Sequence, residues 1–288
     1  MIAEEIKLPA PAFAASWNCI KVEAGLKDRL LAQALFTLQL RQHFTFEQMP
    51  VHGLILLSGQ PGTGKTTLAR GLANQVALAL QPAKTQFIQI DPHALASDSL
   101  GKSQKQVTHL FQSIIPERAV HGPCIVLLDE VETIAADRQK LSLETNPIDV
   151  HRATDAALAG IDVLSRQHQN ILLIATTNFP EALDKAFMSR ADAIEEIGLP
   201  SSEARKEIID DALMQLASKW PALNELRSVT KNFVSASAGL DGRRLRKTIT
   251  FAAAGTIETA KDPALMSAHQ LLEAIELAVK TQQQVGVA

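Results

Sequence analysis

One eight-residue segment constrains the fold of this chain more than any other: Gly59-Gln60-Pro61-Gly62-Thr63-Gly64-Lys65-Thr66. It follows the apolar run LILLS at 54–58 and precedes helical spacing of apolar residues over 65–80. The spacing matches G-x-x-x-x-G-K-[ST], in which the backbone N–H groups of a glycine-rich turn surround phosphates. The segment, hereafter the phosphate loop, therefore predicts a phosphate site between a buried strand and a helix.

The residues of the phosphate loop have distinct expected roles. Lys65 is expected to reach the β- and γ-phosphates of ATP, and the Thr66 hydroxyl is expected to bind Mg²⁺. A helix that begins here adds the positive end of its dipole. A glycine-rich turn without a ligand is the alternative, and the flanking strand and helix count against it. The predicted nucleotide contacts are Gly59, Gln60, Pro61, Gly62, Thr63, Gly64, Lys65, Thr66 and Thr67.

Two acidic residues, Asp129 and Glu130, follow the apolar run CIVLL at 124–128. An aspartate at this point of a phosphate-loop enzyme holds the Mg²⁺ shell, so the predicted metal ligands are Thr66 and, through water, Asp129. It is also a predicted nucleotide contact. A second acid directly after it can polarise the attacking water, which is the expected role of Glu130 as general base. A solvated strand end is the alternative, and the phosphate loop in the same chain disfavours it.

Two polar residues later in the chain are further candidates. Asn178 ends the strand-like segment NILLIATTN at 170–178, where its amide would orient water toward the γ-phosphate. The alternative is an asparagine that opens the turn before Pro180. Arg190 would face the nucleotide of a neighbouring subunit and stabilise charge on its γ-phosphate. A surface arginine paired with Asp192 is the alternative, and the residues alone leave these two interpretations of Arg190 open.

A basic cluster occupies 243–247 in the segment GLDGRRLRK. Asp241 is suited to cap a helix, which would aim Arg243 or Arg244 at the phosphates. A solvated basic face and a nucleic-acid patch are the alternatives. The cluster itself indicates only an anionic partner.

The order of the apolar segments predicts a three-layer α/β domain with a parallel five-stranded sheet. Strand-like runs alternate with helical periodicity, and their nearly continuous apolar character is typical of a sheet covered on both faces. Beyond Pro200 only helical periodicity remains. The predicted division is a flexible, Ala- and Pro-rich arm over 1–16, an α/β domain over 17–199 and a small all-helical domain over 200–288.

Composition narrows the classes of function. Hydrophobic residues make up 46% and charged residues 20%, and the net charge of −3 does not favour a nucleic-acid-binding surface. The sequence lacks the pattern of a secretory signal and any apolar run of the roughly 20 residues that a membrane span needs. Only two cysteines are present, Cys19 and Cys124. We therefore expect a cytoplasmic protein with reduced thiols and neither a membrane nor a nucleic-acid partner.

The phosphate loop, the acid pair, Asn178 and the Arg190 segment together resemble an AAA+ ATPase over essentially residues 17–288. Finer features resemble the pachytene-checkpoint group, the ATPases that remodel HORMA-domain proteins. The short form is similar to bacterial relatives from anti-phage cyclic-oligonucleotide signalling (CBASS) operons. The features are Thr177-Asn178, the segments 183–192, 197–201 and 239–247, and the stretches 146–149 and 160–162.

The resemblance implies an ATPase with a P-loop AAA+ domain and a helical lid, which uses ATP and Mg²⁺ as a homo-hexameric ring. Its implied substrate is a HORMA-domain protein that is opened or disassembled, with a nucleotide cyclase in the same complex. The resemblance makes Asn178 a sensor of the γ-phosphate, Arg190 a finger that acts in trans, and Arg243 a second sensor in the lid.

The sequence departs from the family pattern in two places. About 58 residues precede the phosphate loop, so we expect the adaptor-binding domain of eukaryotic members to be missing or reduced to the arm. The pore loop is expected over 96–102, where Leu100 stands in place of an aromatic residue. Because leucine buries less apolar area than an aromatic ring, we expect a weaker grip on substrate.

Three other functions compete with the remodelling hypothesis. An AAA+ ATPase that acts on DNA or on a DNA-bound clamp is the main alternative, favoured weakly by the basic cluster. A module that binds ATP without turnover is disfavoured by Glu130 and Arg190. A small-molecule P-loop kinase is disfavoured because such kinases lack a C-terminal helical lid that follows a segment like Ser189-Arg190-Ala191-Asp192.

Overall fold

The five predicted strands form, and they belong to a six-stranded sheet. The computed structural model describes residues 1–91, 94–95, 102–137 and 147–285. In these residues the sheet order is β1-β3-β4-β5-β2-β6, and the pairs among β2 to β6 are parallel. The strands are β1 (Ile2–Leu8), β2 (Leu54–Ser58), β3 (Thr85–Ile90), β4 (Cys124–Leu128), β5 (Ile171–Thr177) and β6 (Ala193–Glu196).

Residues that the sequence analysis assigned to a flexible arm over 1–16 are ordered, and they add a sixth, antiparallel strand to the predicted five-stranded parallel sheet. Residues 2–8 form β1, which pairs antiparallel with β3 and places Ile6 opposite Phe87. The following residues form a helix whose Phe13 is buried against Phe87, with ring centroids 4.8 Å apart. Burial alternates along β1: Ile2, Glu4, Ile6 and Leu8 lie on the covered face, and the residues between them are exposed. This pattern suits an edge strand with one covered face, but it is too short to stand out from the Ala- and Pro-rich segment around it.

Helices cover both faces of the sheet. On one side α3 contacts β2, β4 and β5, and both α1 and α2 pack on α3. On the other side α4 packs on α6, and a π-helical turn over Leu110–Ile114 joins α4 to α5. The central strands β2, β4 and β5 are buried along their whole length, which explains their continuous apolar sequences. The helices are α1 (Pro11–Cys19), α2 (Leu26–His43), α3 (Lys65–Ala79), α4 (Lys102–His109), α5 (Ile115–Arg118), α6 (Pro147–Gln167) and α7 (Lys185–Met188).

The chain divides into two compact units. The first comprises 1–20, 25–59 and 65–197 and holds the sheet. The second comprises 21–24, 60–64 and 198–288. The longest segment of the second unit begins at residue 198, and the sequence analysis placed the start of the helical domain at residue 200.

The described residues of the second unit form helices joined by turns and loops, and none of them lies in a strand. Its helices are α8 (Ser202–Ala217), α9 (Thr230–Ala236), α10 (Gly242–Phe251), α11 (Ile257–Lys261) and α12 (Ala268–Val285). Helical periodicity in the sequence predicts helices over 202–219, 241–258 and 264–281. These ranges miss α9 and the 3₁₀ helix Pro221–Val229, and the range 241–258 joins α10 to the start of α11 across the 3₁₀ turn Ala252–Gly255. The unit has its own core, which includes Ile209, Leu213, Leu245, Ile249, Leu271 and Ile275.

The helices α8 and α10 of this unit have side-chain caps at their N-termini. The side chains of Ser201 and Asp241 cap α8 and α10 by accepting from the backbone N–H groups of Ala204 and Arg244. Among the helices of the described residues, none combines the length and apolar character required to cross a membrane.

Candidate nucleotide site

The carboxyl edge of the parallel sheet brings together five of the predicted site residues of the first unit. Because β5 lies between β4 and β2, the end of β5 stands between the acid pair and the strand that leads into the phosphate loop. Lys65 and Thr66 begin α3, Asp129 and Glu130 follow β4, and Asn178 follows β5. The strand order therefore brings all five to one edge, as expected for a site at the carboxyl ends of parallel strands.

The Asp129 carboxylate is held by side chains from three elements. One oxygen accepts from the Thr66 hydroxyl at 2.9 Å and also from the Thr176 hydroxyl. The other oxygen is 3.3 Å from the amide nitrogen of Gln89. A threonine hydroxyl beside a carboxylate offers the oxygen ligands that Mg²⁺ prefers, so the two residues fit the predicted metal role.

Glu130 has an unusual backbone conformation, with φ of 52°. Its N–H donates to the Thr176 hydroxyl at 3.1 Å. One of its carboxylate oxygens accepts from the amide of Asn178, also at 3.1 Å. The amide that sequence reasoning assigned to the attacking water thus lies against the carboxylate assigned as base, and the two groups can act on one water.

Lys65 is almost fully buried, with 5% of its surface exposed. Its ammonium donates to the carbonyl of Gly59 at 2.6 Å. Gly59 has φ of 141°, and a Cβ there would lie 2.3 Å from the carbonyl oxygen of Ile197. Only glycine fits this position, which fixes the exit of the chain from β2. Thr67, also a predicted contact, lies half-buried in the first turn of α3.

The middle of the phosphate loop, Gln60–Gly64, belongs to the second unit, where it meets the start of α10. The Arg243 N–H donates to the Gly62 carbonyl at 3.3 Å. Gly62 has φ of 88°, and a Cβ on it would lie 2.3 Å from an Asp241 carboxylate oxygen. Within this part of the loop, the Thr63 hydroxyl donates to the Gln60 carbonyl at 2.9 Å. The capped start of α10 therefore lies against the loop.

Arg190 is bound to Asp162 rather than to Asp192, so the predicted alternative partner is wrong. Its Nε and Nη2 donate to the two Asp162 oxygens at 2.7 and 2.8 Å. This ion pair holds the pKa of Asp162 below its ordinary value and raises the pKa of Arg190. Asp192 instead accepts from the backbone N–H groups of His52, Gly53 and Leu54, because the turn before β6 lies beside the start of β2.

The position of Arg190 separates it from the other site residues. It precedes β6, and the neighbouring Asp192 is tied to the residues that begin β2, at the amino edge of the sheet. Thr66 and Asp129 lie at the carboxyl edge. The five residues of β2 span about 16 Å at roughly 3.3 Å per residue, so the sheet does not bring Arg190 to its own chain's site.

A family comparison agrees with this geometry. The model of the family described as "ATPase family associated with various cellular activities (AAA)" matches residues 55–199, which include the phosphate loop and the acid pair. The chain belongs to the AAA family of ATPases. This confirms the family expected from the resemblance of the motifs.

Relatives of this AAA chain place it more finely. It is 45% identical to CD-NTase-associated protein 6 of Pseudomonas aeruginosa, over 97% of this chain and 93% of that protein. It is 33% identical to the pachytene checkpoint protein 2 homolog of Danio rerio, over 96% of this chain and 70% of that one. A chain from the solved Escherichia coli MS115-1 HORMA:CdnC:Trip13 complex has the same fold, with a TM-score of 0.76 at 18% identity and coverage of 95% and 94%.

Some residues that shape this AAA site were missed from the sequence. Thr176 and Gln89 both contact Asp129, and the Arg70 guanidinium in turn donates to the Gln89 amide oxygen and pairs with Glu4 of β1 at 2.8 Å. A polar residue in an otherwise apolar strand is the available signal, present in TQFIQI and ILLIATT. The expected pore loop over 96–102, with Leu100, falls almost wholly outside the described residues, and so does Asn146.

Proposed function

We propose that this AAA chain hydrolyses ATP, with Mg²⁺, at the carboxyl edge of its sheet. The observation that carries the proposal is the contact set of Thr66, Asp129, Glu130 and Asn178, which brings a hydroxyl, two carboxylates and an amide to one place. Mg²⁺ held by Thr66 and Asp129 would neutralise charge on the phosphates. Lys65 supplies a buried positive charge beside the loop.

Each residue has a separate role in this proposal. Lys65 exchanges the carbonyl of Gly59 for the β- and γ-phosphate oxygens, to which a cation binds more strongly in a desolvated site. Glu130 accepts the proton of the attacking water. Asn178 fixes the Glu130 carboxylate through its amide and orients the same water.

Of the two candidate lid arginines, we assign the nucleotide contact to Arg243. Its backbone N–H already meets the Gly62 carbonyl of the phosphate loop. Arg244 uses its N–H for the Asp241 cap, and its side chain lines a groove with Phe251 and Leu277 on α10 and α12. The contact of Arg243 with the loop supports its role as the second sensor.

Arg190 is proposed to act on the nucleotide of a neighbouring copy. An arginine at the amino edge of the sheet is too far from its own Thr66 and Asp129, so it needs another subunit to contact a γ-phosphate. A ring satisfies this requirement at every interface, and a homo-hexamer is the form we propose. An arginine of this kind contributes about 10³- to 10⁵-fold to hydrolysis in other phosphate-loop enzymes.

We propose that the energy of hydrolysis opens or disassembles a HORMA-domain protein and so regulates bacterial anti-phage signalling in the cytoplasm. The motif resemblance supports this substrate, as does the kinship with CD-NTase-associated protein 6 over nearly its whole length. A nucleotide cyclase held in the same complex is part of the proposal, because the solved E. coli complex that contains a chain of the same fold unites HORMA, CdnC and Trip13.

The test is a substrate trap made with Glu130→Gln. This variant should bind ATP and hydrolyse it very slowly, so that it holds its substrate. The tagged full chain is expressed in its native host, purified with and without ATP, and its bound proteins are identified. The matched control is Glu130→Gln combined with Lys65→Ala, which should not bind ATP and should retain nothing in an ATP-dependent way.

The outcomes separate the proposed functions. A HORMA-domain protein retained only with ATP supports the remodelling function and names the substrate. ATP-dependent retention of DNA or of a clamp-type protein would overturn it in favour of the DNA-linked alternative. A Glu130→Gln protein with a normal rate of ATP hydrolysis would remove Glu130 from the role of general base.

A further inference from the structure

The Arg190 guanidinium is held by its own chain on two sides. Asp162 of α6 accepts from Nε at 2.7 Å and from Nη2 at 2.8 Å, and the Ala186 carbonyl of α7 accepts from Nη1 at 2.8 Å. A two-bond pair between a guanidinium and a carboxylate fixes the plane of the guanidinium as well as its position. The orientation of Arg190 is therefore set before any partner arrives.

The N–H groups of Arg190 that do not bind Asp162 or Ala186 are suited to bind an anion. A guanidinium has five N–H groups, and three are used within the chain. One N–H on each of Nη1 and Nη2 makes no hydrogen bond to a residue in the described part of the chain. Two N–H groups on the terminal nitrogens are the donors that bind two phosphate oxygens together.

The surroundings of Asp162 leave Arg190 as its main ion-pair partner. Its side chain is 37% exposed, and that of Arg190 is 21% exposed, so the pair is partly shielded from water. His52 Nε2 lies 3.6 Å from Asp162 Oδ1, the oxygen that accepts from Arg190 Nε. Because burial lowers the pKa of His52, near neutral pH the imidazole carries no positive charge that would compete with Arg190 for this carboxylate. The carboxylate thus has one strong partner, which is Arg190.

We propose that Asp162 is a positioning residue, which orients Arg190 to contact the nucleotide of a neighbouring copy. This inference rests on the proposed trans role of Arg190. Asp162 touches no nucleotide itself. It reduces the freedom of a long side chain that would otherwise have to be ordered at each hydrolysis event.

The experiment compares Asp162→Asn, Arg190→Ala and the double variant in the full chain. Asp162→Asn should lower kcat for ATP hydrolysis by about 10- to 100-fold, the cost of a misplaced catalytic group, and leave ATP affinity within about twofold. Arg190→Ala should lose more. The double variant should match Arg190→Ala, because Asp162 acts only through the arginine.

A complementation arm tests positioning against a merely structural role. Asp162→Asn subunits keep an intact site and lack a well-placed arginine, whereas Glu130→Gln subunits have the reverse defect. Mixed assemblies of the two should recover hydrolysis at the sites of the Asp162→Asn subunits. Damage to the fold of those subunits would not be repaired by a neighbour, so a lack of recovery would overturn the proposal.

Glu195→Gln is the matched control, because it removes another two-bond pair, Arg29 with Glu195, at 2.9 and 2.8 Å in the same unit. It should leave the rate of hydrolysis unchanged. A normal kcat for Asp162→Asn beside a defective Arg190→Ala would overturn the positioning role alone. A normal kcat for Arg190→Ala would instead overturn the proposed trans role of the arginine.

Discussion

The backbone of Glu130 has φ of 52°, a conformation that costs a residue with a side chain about 1–3 kcal/mol. The surrounding contacts offset this cost: its N–H meets Thr176, and its carboxylate meets Asn178. The residues at the ends of β4 and β5 hold Glu130 in this conformation, and they also orient its carboxylate. A proposed base held in this way does not have to search for its orientation when water arrives.

Asn178→Ala tests this coupling at the scale of one residue. Without the amide, the Glu130 carboxylate loses a partner at 3.1 Å, and the attacking water loses an orienting group. We expect kcat to fall by about 10- to 100-fold with little change in ATP affinity, measured by steady-state hydrolysis and nucleotide titration.

Asn170→Ala is the control for Asn178→Ala. Asn170 precedes the opposite end of β5 and donates to the carbonyls of Ala119 and Gly122 at 2.7 and 2.8 Å. Its loss should lower stability and leave kcat alone. Equal effects of the two substitutions on kcat would show that the Asn178 contact is only structural.

At the scale of elements, β1 and α1 extend the first unit beyond what the composition of the segment suggested. Phe13 of α1 is 2% exposed, packs edge-on against Phe87, and lies 5.7 Å below the Arg70 guanidinium. Arg70 contacts Gln89, which contacts Asp129. The first helix of the chain is thus packed against the side chains that support the predicted metal site.

Phe13→Ala is expected to lower the free energy of unfolding by about 3–5 kcal/mol, as for other buried phenylalanines. Denaturant unfolding of the full chain measures this change. Ile257→Ala, at a residue that is 78% exposed, should change it by less than about 0.5 kcal/mol. Equal stability of Phe13→Ala and the unchanged protein would mean that the segment is, after all, a loosely held arm.

Sequence patterns predict helices and strands well where the burial of apolar side chains is the dominant interaction. Strands β2, β4 and β5 are buried on both faces, so their apolar runs identify them. Edge strand β1 and the short α9 have weaker patterns, because each is covered on one side only or over a few residues. Thr176 and Gln89 were missed because their contact with Asp129 depends on which strands are neighbours, which local sequence does not specify.

At the scale of the whole molecule, the sheet has two edges with different tasks. The carboxyl edge holds the proposed catalytic residues. The amino edge holds a cluster of four charged side chains, Arg41, Asp162, Arg190 and Asp192, around the imidazole of His52. Arg41 is buried, donates to the carbonyls of Leu164, His168 and Ile171, and has its pKa lowered to about 10 by burial. Sequence motifs identified Arg190 as a candidate site residue, but only the fold shows that its partner is Asp162.

This cluster makes stability depend on pH through His52. Burial is the largest effect on its pKa and lowers it below the ordinary value of 6.5, and Arg190 and Arg41 act in the same direction. Asp192 and Asp162 oppose them without reversing the shift. Well above pH 6.5, His52 is neutral in both the folded and the unfolded chain, so it adds no pH dependence there. As the pH falls below 6.5, the unfolded chain takes up the proton first, and the free energy of unfolding declines.

His52→Gln should therefore flatten the decline in the free energy of unfolding between pH 7 and pH 5, measured by denaturant titrations across that range. Part of the slope should persist, because burial also lowers the pKa of His168, with Arg41 adding to the effect. His269→Gln serves as the control, since this side chain is 80% exposed and lies on α12 in the second unit. It should leave the slope as it is in the unchanged protein. A His52→Gln slope as steep as that of the control would show that the amino-edge cluster accommodates the charged imidazole without cost.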